Sequence, residues 1–384
     1  MDFEFATAAR IIFADGAIQR VPELAGRMGT RALVVLGRSE RRALPLLDLL
    51  RAARIATTPV HVPGEPTIAL VDEALARARR AGSDWVVAMG GGSAIDAGKA
   101  IAALLTNPGD ALNYLEVIGE GKALSAPPLP CMAIPTTAGT GAEVTKNAVL
   151  LATEHRTKVS LRHNLMLPDV ALLDPELTHS MPPEVTANTG LDALTQLIEP
   201  FVCNRTNPLT DAICRAGLAR AARSLARAYH QPTAGSARRD MALASLLGGL
   251  ALANAKLGAV HGIAGPLGGM LTGAHGALCA RLLPLVMTAN VHALKSRDPL
   301  SPVQARFAEL GCILTGDATA DAQDGLAWVH DLCRELHVLP LSAHGLTRKD
   351  IPVAVEKSKH ASSMQGNPVV LTDDELTAIL VAAL

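Results

Sequence analysis

The run Trp85-Val86-Val87-Ala88-Met89 passes without interruption into Gly90-Gly91-Gly92-Ser93 and then into Ala94-Ile95-Asp96-Ala97-Gly98-Lys99-Ala100. No other stretch constrains the fold as strongly. A short, wholly apolar run closed by glycines reads as a buried strand, and strands buried on both faces belong to parallel sheets. The glycines turn the chain into a helix whose first N–H groups are free, so backbone donors and the positive end of the helix dipole face a place where an anion can sit. The bland alternative is a tight turn that needs glycine only for its dihedral angles. Two familiar nucleotide motifs are missing. There is no GxGxxG, and the P-loop spacing fails because Ser93 stands at its first Gly and Ala100 follows Gly98-Lys99. A dinucleotide would therefore be held in another way.

The same alternation recurs: apolar runs at 32–36, 85–89 and 131–134, with helical patterns at 41–53 and 94–105. It predicts βαβ units, an α/β fold with a parallel sheet and helices on both faces. The chain has 384 residues, more than the roughly 250–300 at which one core stops growing, so two domains are expected. Only 2% of residues are aromatic against 49% hydrophobic, so the core must be built from Ala, Leu and Val. Residues 1–178 form the predicted nucleotide-binding domain. From Met181-Pro182-Pro183-Glu184 onward, 179–384 read as an all-helical domain, cut into segments by Pro200, Pro208, Pro232, Pro266, Pro284, Pro299, Pro302 and Pro340.

The formal net charge is -1 and no basic block occurs, which speaks against a nucleic-acid partner. Six cysteines without CxxC spacing read as small buried hydrophobes in a reducing compartment. The opening Met1-Asp2-Phe3-Glu4-Phe5 lacks the basic start of a signal peptide, so a cytoplasmic protein is expected. The apolar run 241–255 falls short of the roughly 20 residues of a membrane span and reads as a buried helix.

Two clusters carry chemistry. Pro135-Thr136-Thr137-Ala138-Gly139-Thr140-Gly141-Ala142-Glu143 follows the strand at 131–134 and reads as strand, turn and helix, with hydroxyls at a strand's carboxyl end where ligands bind. The second lies at 256–284. His261 stands in Gly258-Ala259-Val260-His261-Gly262, ahead of a helix break expected at Pro266, and His275 stands in Gly273-Ala274-His275-Gly276, ahead of an apolar helix at 277–287. Upstream, Asp192 and Gln196 are spaced i, i+4, which puts both side chains on one helix face. Carboxylate and imidazole suit zinc or ferrous iron. Any single histidine is more often a hydrogen-bonded core or surface ring, and the other ten are left at that reading.

Taken together, Gly90 through Lys99, Pro135 through Thr140, Asp174-Pro175-Glu176-Leu177, Gly190-Leu191-Asp192-Ala193-Leu194, Val260-His261-Gly262 and His275-Gly276 with Leu282-Leu283-Pro284 resemble the iron-containing (group III) alcohol dehydrogenase family, nearly end to end. The resemblance implies a dehydroquinate synthase-like architecture: an NAD(P)-binding α/β domain, a helical domain, an active site in the cleft between them, and a homodimer. It implies that Gly91, Gly92 and Ser93 hold the pyrophosphate, that Asp96, Thr136, Thr137, Thr140 and Lys158 line the rest of the cofactor site, and that Asp192, His261 and His275 are metal ligands.

This sequence departs from the family at two positions. Gln196 and Gly265 stand where relatives usually carry histidine, and a neutral amide oxygen is a poorer ligand than imidazole. After the strand at 32–36, Gly37-Arg38-Ser39 replaces the acid of NAD-preferring members; losing it and gaining Arg38 favours NADP. The expected activity is NAD(P)-dependent interconversion of an alcohol and an aldehyde or ketone, with a divalent ion on Asp192, Gln196, His261 and His275 polarising the substrate oxygen and His261 and His275 catalytic. One rival is a metal-independent reductase of the maleylacetate reductase type, in which both histidines donate hydrogen bonds to the oxyanion. A more distant one is a lyase resembling dehydroquinate synthase.

Overall fold

The computed structural model describes residues 2–155 and 157–384. They form two compact units: Phe5–Thr137 with Gly141–His179, and Ser180–Leu384, which also takes Ala138–Thr140 and the N-terminal residues through Glu4.

In the first unit the strands are β1 (Arg10–Phe13), β2 (Arg31–Leu36), β3 (Ala56–His61), β4 (Trp85–Gly90), β5 (Cys131–Pro135), β6 (Asn147–Ala152), β7 (Thr157–Arg162) and β8 (Val170–Leu173). Between them lie the helices α1 (Val21–Ala25), α2 (Glu40–Ala52), α3 (Ile68–Ala81), α4 (Gly92–Thr106) and α5 (Ala111–Tyr114). Six strands make one sheet in the order β1-β8-β5-β4-β2-β3, and every pairing in it is parallel. Period-two alternation sends Leu33, Val35, Val86 and Ala88 to the core on one face. Val34, Leu36, Trp85, Val87 and Met89 go to the core on the other. Both faces are therefore covered, and the strands read as continuous apolar runs.

The strand order places a switch point. From β2 the chain moves outward to β3, then returns to build β4 on the opposite side of β2. Connections that depart in opposite directions leave a crevice at the carboxyl ends of β2 and β4, which is where open α/β sheets bind ligands.

The helix expected after the Pro135–Glu143 loop does not form. A 3-10 turn at Ala142–Val144 follows Gly141, whose φ is +58°, and β6 and β7 then pair as an antiparallel hairpin. The alternating burial of Asn147–Ala152 is a strand period, and it overrides the helical reading.

The second unit is helical: α6 (Pro183–Val202), α7 (Pro208–His230), α8 (Gly235–Asn254), α9 (Ala259–Met270), α10 (His275–Arg297), α11 (Val303–Thr315), α12 (Ala322–Glu335), α13 (Ile351–Lys359) and α14 (Asp373–Ala383). Three prolines expected to end helices lie inside them: Pro200 in α6, Pro266 in α9 and Pro284 in α10. Each removes one helical hydrogen bond, and burial in the shared apolar core outweighs that loss. The α10 helix is long and apolar enough to cross a membrane, but 72% of its apolar window is buried inside the protein, which makes it a core helix. Between α8 and α9 the chain bends by 95°, and this bend brings His261 toward α6.

Candidate active site

At the switch point, Gly37 N–H donates to Met89 O at 3.1 Å and Thr136 N–H to Gly90 O at 2.8 Å. These bonds knit together the ends of β2, β4 and β5. Gly91 is the N-cap of the 15-residue helix α4 and has no side-chain cap, so the first N–H groups of α4 remain open donors. Arg38 is exposed at the same crevice. Two residues of the expected cofactor set have firm internal partners. Asp96 accepts from Val149 N–H at 3.0 Å and pairs with Lys99 at 3.0 Å; burial raises its pKa, and Lys99 works against that. Lys158 pairs with Glu65 at 2.8 Å. Thr136 and Thr137 belong to the α/β unit, whereas Thr140 belongs to the helical one.

The second cluster is assembled by three helices of the helical unit. On α6, Asp192 and Gln196 share the face that their spacing predicts, and Gln196 Nε2 donates to Asp192 Oδ2 at 3.2 Å. His261 is not ahead of a helix break: it lies in the first turn of α9, which runs on through Pro266. His275 is itself the first residue of α10. A Cβ on Gly276 would stand 2.6 Å from Asn188 O and 3.4 Å from Asp192 Cβ, so only glycine lets α10 begin this close to α6.

His261 Nε2 lies 3.5 Å from Asp192 Oδ1 and His275 Nε2 lies 4.0 Å from it. Cys279 joins them: the ligand-capable atoms of Asp192, His261, His275 and Cys279 all fall within 4.8 Å of one another. Asp192 Oδ1, Gln196 Oε1 and His261 Nε2 are buried without a hydrogen-bond partner. Orphaned polar atoms are costly, and here three of them, all lone-pair donors, lie in one group. A divalent cation fits this set. His275 keeps 31% of its side chain exposed while Asp192 keeps 2%, so the cluster opens on the His275 side.

The charged groups of the cluster act strongly on one another. Burial opposes charge on Asp192, but the nearness of His261 and His275 holds its carboxyl below the usual range. Burial also opposes charge on His261, yet the Cys279 sulfur, the Glu199 carboxylate and Asp192 lift its pKa well above the ordinary imidazole value. Burial pushes the Cys279 thiol up to about 12, so near neutral pH the two carboxylates carry that effect.

Sequence reasoning missed two members of the cluster. Glu199 Oε2 accepts from His261 Nδ1 at 2.6 Å, and Cys279 is the fourth residue after His275. Both lie on the ligand-bearing helix faces, at i+7 from Asp192 and i+4 from His275, so helical spacing was the available signal. Cys279 is buried, as expected of all six cysteines, but not among apolar groups alone.

A parallel-sheet unit with an anion-ready glycine turn and a helical unit that gathers carboxylate and imidazole donors fit a metal-using enzyme with a nucleotide ligand. The chain matches the iron-containing alcohol dehydrogenase family over residues 8–175 and the C-terminal part of the Fe-containing alcohol dehydrogenase family over residues 186–384. Alcohol dehydrogenase 4 of Saccharomyces cerevisiae is 36% identical over 319 residues, 83% of this chain and 80% of its own length. A crystal structure of 1,3-propanediol oxidoreductase superposes with a TM-score of 0.92 at 33% identity, covering 100% of both chains. Sulfoacetaldehyde reductase from Bifidobacterium kashiwanohense, solved with NAD+, gives 0.87 at 30% identity and covers 99% of this chain and 98% of its own. The chain belongs to the iron-containing alcohol dehydrogenase family. Its reaction is the interconversion of an alcohol and its carbonyl compound, and the family implies both a divalent metal and NAD(P).

Proposed function

We propose that this protein is an NADP-preferring alcohol dehydrogenase that also runs in reverse as an aldehyde reductase. Residues 1–178 bind the cofactor in this reading, and 179–384 hold the metal and the substrate. The observation that carries it is the convergence of Asp192 Oδ1, Gln196 Oε1 and His261 Nε2, all buried and partnerless, beside His275. Asp192, His261 and His275 hold the ion in this reading, with the Gln196 amide oxygen beside them.

A bound divalent ion supplies Lewis acidity toward the substrate oxygen, and the nicotinamide supplies or accepts the hydride. The chain's own residues do the rest. Glu199 fixes the His261 ring by accepting from Nδ1, which leaves Nε2 facing Asp192 Oδ1 at 3.5 Å. Gly91, Gly92 and Ser93 present backbone N–H groups to the pyrophosphate, while Thr136 and Thr137 line the neighbouring loop. Gly37 and the exposed Arg38 lie at the end of β2, where a ribose 2′-phosphate finds a cation and no acid. A Cβ on Gly265 would meet nothing within 4 Å, so this position offers space and no side-chain acid.

The resemblance supports a homodimer, and the six free thiols support a cytoplasmic location. Short aldehydes and diols, including 1,3-propanediol, are the first substrates to assay. In that screen, protein stripped with chelator loses activity and regains it with zinc or ferrous iron. Full activity after complete stripping would transfer the assignment to the metal-independent reductase, in which protonated His261 and His275 donate to the oxyanion.

A further inference from the structure

We propose that Cys279 is a metal ligand in this protein, a thiolate donor that completes a site with Asp192, His261 and His275 for a zinc-class divalent ion. The inference rests on reading the cluster as a metal centre, and it specifies which donors that centre uses.

Three observations carry it. Cys279 and His275 are spaced i, i+4 on α10, so both project from one helix face, and Cys279 Sγ lies 3.6 Å from His275 Nε2. All four candidate ligand atoms lie within 4.8 Å of one another, the only such group of His, Cys, Asp or Glu among the described residues. Independently, Asp192 Oδ1 and His261 Nε2 are buried without hydrogen-bond partners, with His261 only 7% exposed. The sulfur thus stands beside unsatisfied donors that need a cation. Cys312 and Cys333, by contrast, point their sulfurs at the backbone carbonyls of Ala320 and Ala280.

Gln196 competes with Cys279 for the ion, and donor chemistry favours sulfur. A thiolate is charged and soft, and it suits zinc, whereas the neutral amide oxygen is a weak donor. Gln196 Nε2 donates to Asp192 Oδ2 at 3.2 Å and steadies that carboxylate, so that only its neutral Oε1 is left to face the ion. On binding, the Cys279 S–H bond breaks, its proton leaves to solvent, and a sulfur–metal bond forms. The resulting donor set favours zinc or cobalt over ferrous iron.

The test is cobalt(II) titration of the full-length protein after chelator treatment, followed by absorption. A sulfur-to-cobalt charge-transfer band is expected in wild type and in Gln196→Ala, and is absent from Cys279→Ser although cobalt still binds. In chelator competition, Cys279→Ser is expected to weaken zinc by more than about 100-fold, beyond the roughly 10- to 100-fold of groups that only brace a ligand. Stoichiometric cobalt binding without the band overturns the inference and leaves the metal centre standing, whereas no cobalt binding overturns both. Should Cys279→Ser fail to fold, X-ray absorption of zinc-loaded wild type decides: a sulfur scatterer at about 2.3 Å supports the ligand, and oxygen and nitrogen alone refute it.

Discussion

His261 Nδ1 donates to Glu199 Oε2 at 2.6 Å, while the other oxygen of Glu199 accepts from Val260 N–H at 2.7 Å. The carboxylate is thus clamped by the turn that carries the histidine, and ring and acid move as one unit. Such a partner sets the tautomer and raises the basicity of the opposite nitrogen, the one that faces Asp192. Replacing Glu199 with Gln removes the charge and keeps the shape. Metal affinity is expected to fall by about 10- to 100-fold, measured by chelator competition; unchanged affinity would mean that Glu199 serves only the fold.

The glycine turn invites a paired experiment. A Cβ on Gly98 would stand 2.6 Å from Ala88 Cβ, whereas one on Gly91 meets nothing closer than Thr137 at 3.5 Å. Gly98→Ala therefore overpacks α4 against β4 and should cost about 1–3 kcal/mol in denaturant unfolding. Gly91→Ala should leave unfolding within about 0.5 kcal/mol of wild type yet raise the cofactor KM on the order of tenfold, a loss of about 1.4 kcal/mol. Equal KM values would remove Gly91 from the cofactor site.

For Arg38, exposed at the end of β2, the readout is a ratio. Arg38→Ala should lower kcat/KM for NADPH by about tenfold or more, the worth of a charge-assisted hydrogen bond, and leave the NADH value near wild type. A parallel loss with both cofactors would show that Arg38 does not read the 2′-phosphate.

Glu143, in the α/β unit, supplies a pH test. Burial raises its pKa from the ordinary 4.5 to about 7, and its Oε1 has no partner. Between those values the native state holds a proton that the unfolded chain has released, so stability falls as pH rises through the window and levels off above it. The shift corresponds to about 3 kcal/mol. From pH 5 to pH 8, wild type should lose about that much stability relative to Glu143→Gln; parallel curves for the two proteins would contradict the buried acid.

Much of this was legible in advance because it is local. The Trp85–Met89 run and its glycines specified a strand, a turn and a helix, and β4 and α4 lie there. The spacing of Asp192 and Gln196 placed two side chains on one helix face. The prolines misled because a helix interior loses only one hydrogen bond to Pro200, Pro266 or Pro284, and a large apolar core outweighs that loss.

The strand, turn and helix from Trp85 to Thr106 and the i, i+4 pairing on α6 were determined by the sequence itself, through backbone sterics and the two periodicities. Tertiary structure alone decided that β2 and β4 are neighbours, that the α8–α9 bend carries His261 to Asp192, and that Glu199 meets His261. Those contacts link residues tens of positions apart, and no local rule sums to them. They exist because the apolar faces of α6, α9 and α10 share one core, and closing it leaves the polar atoms at its edge facing one another.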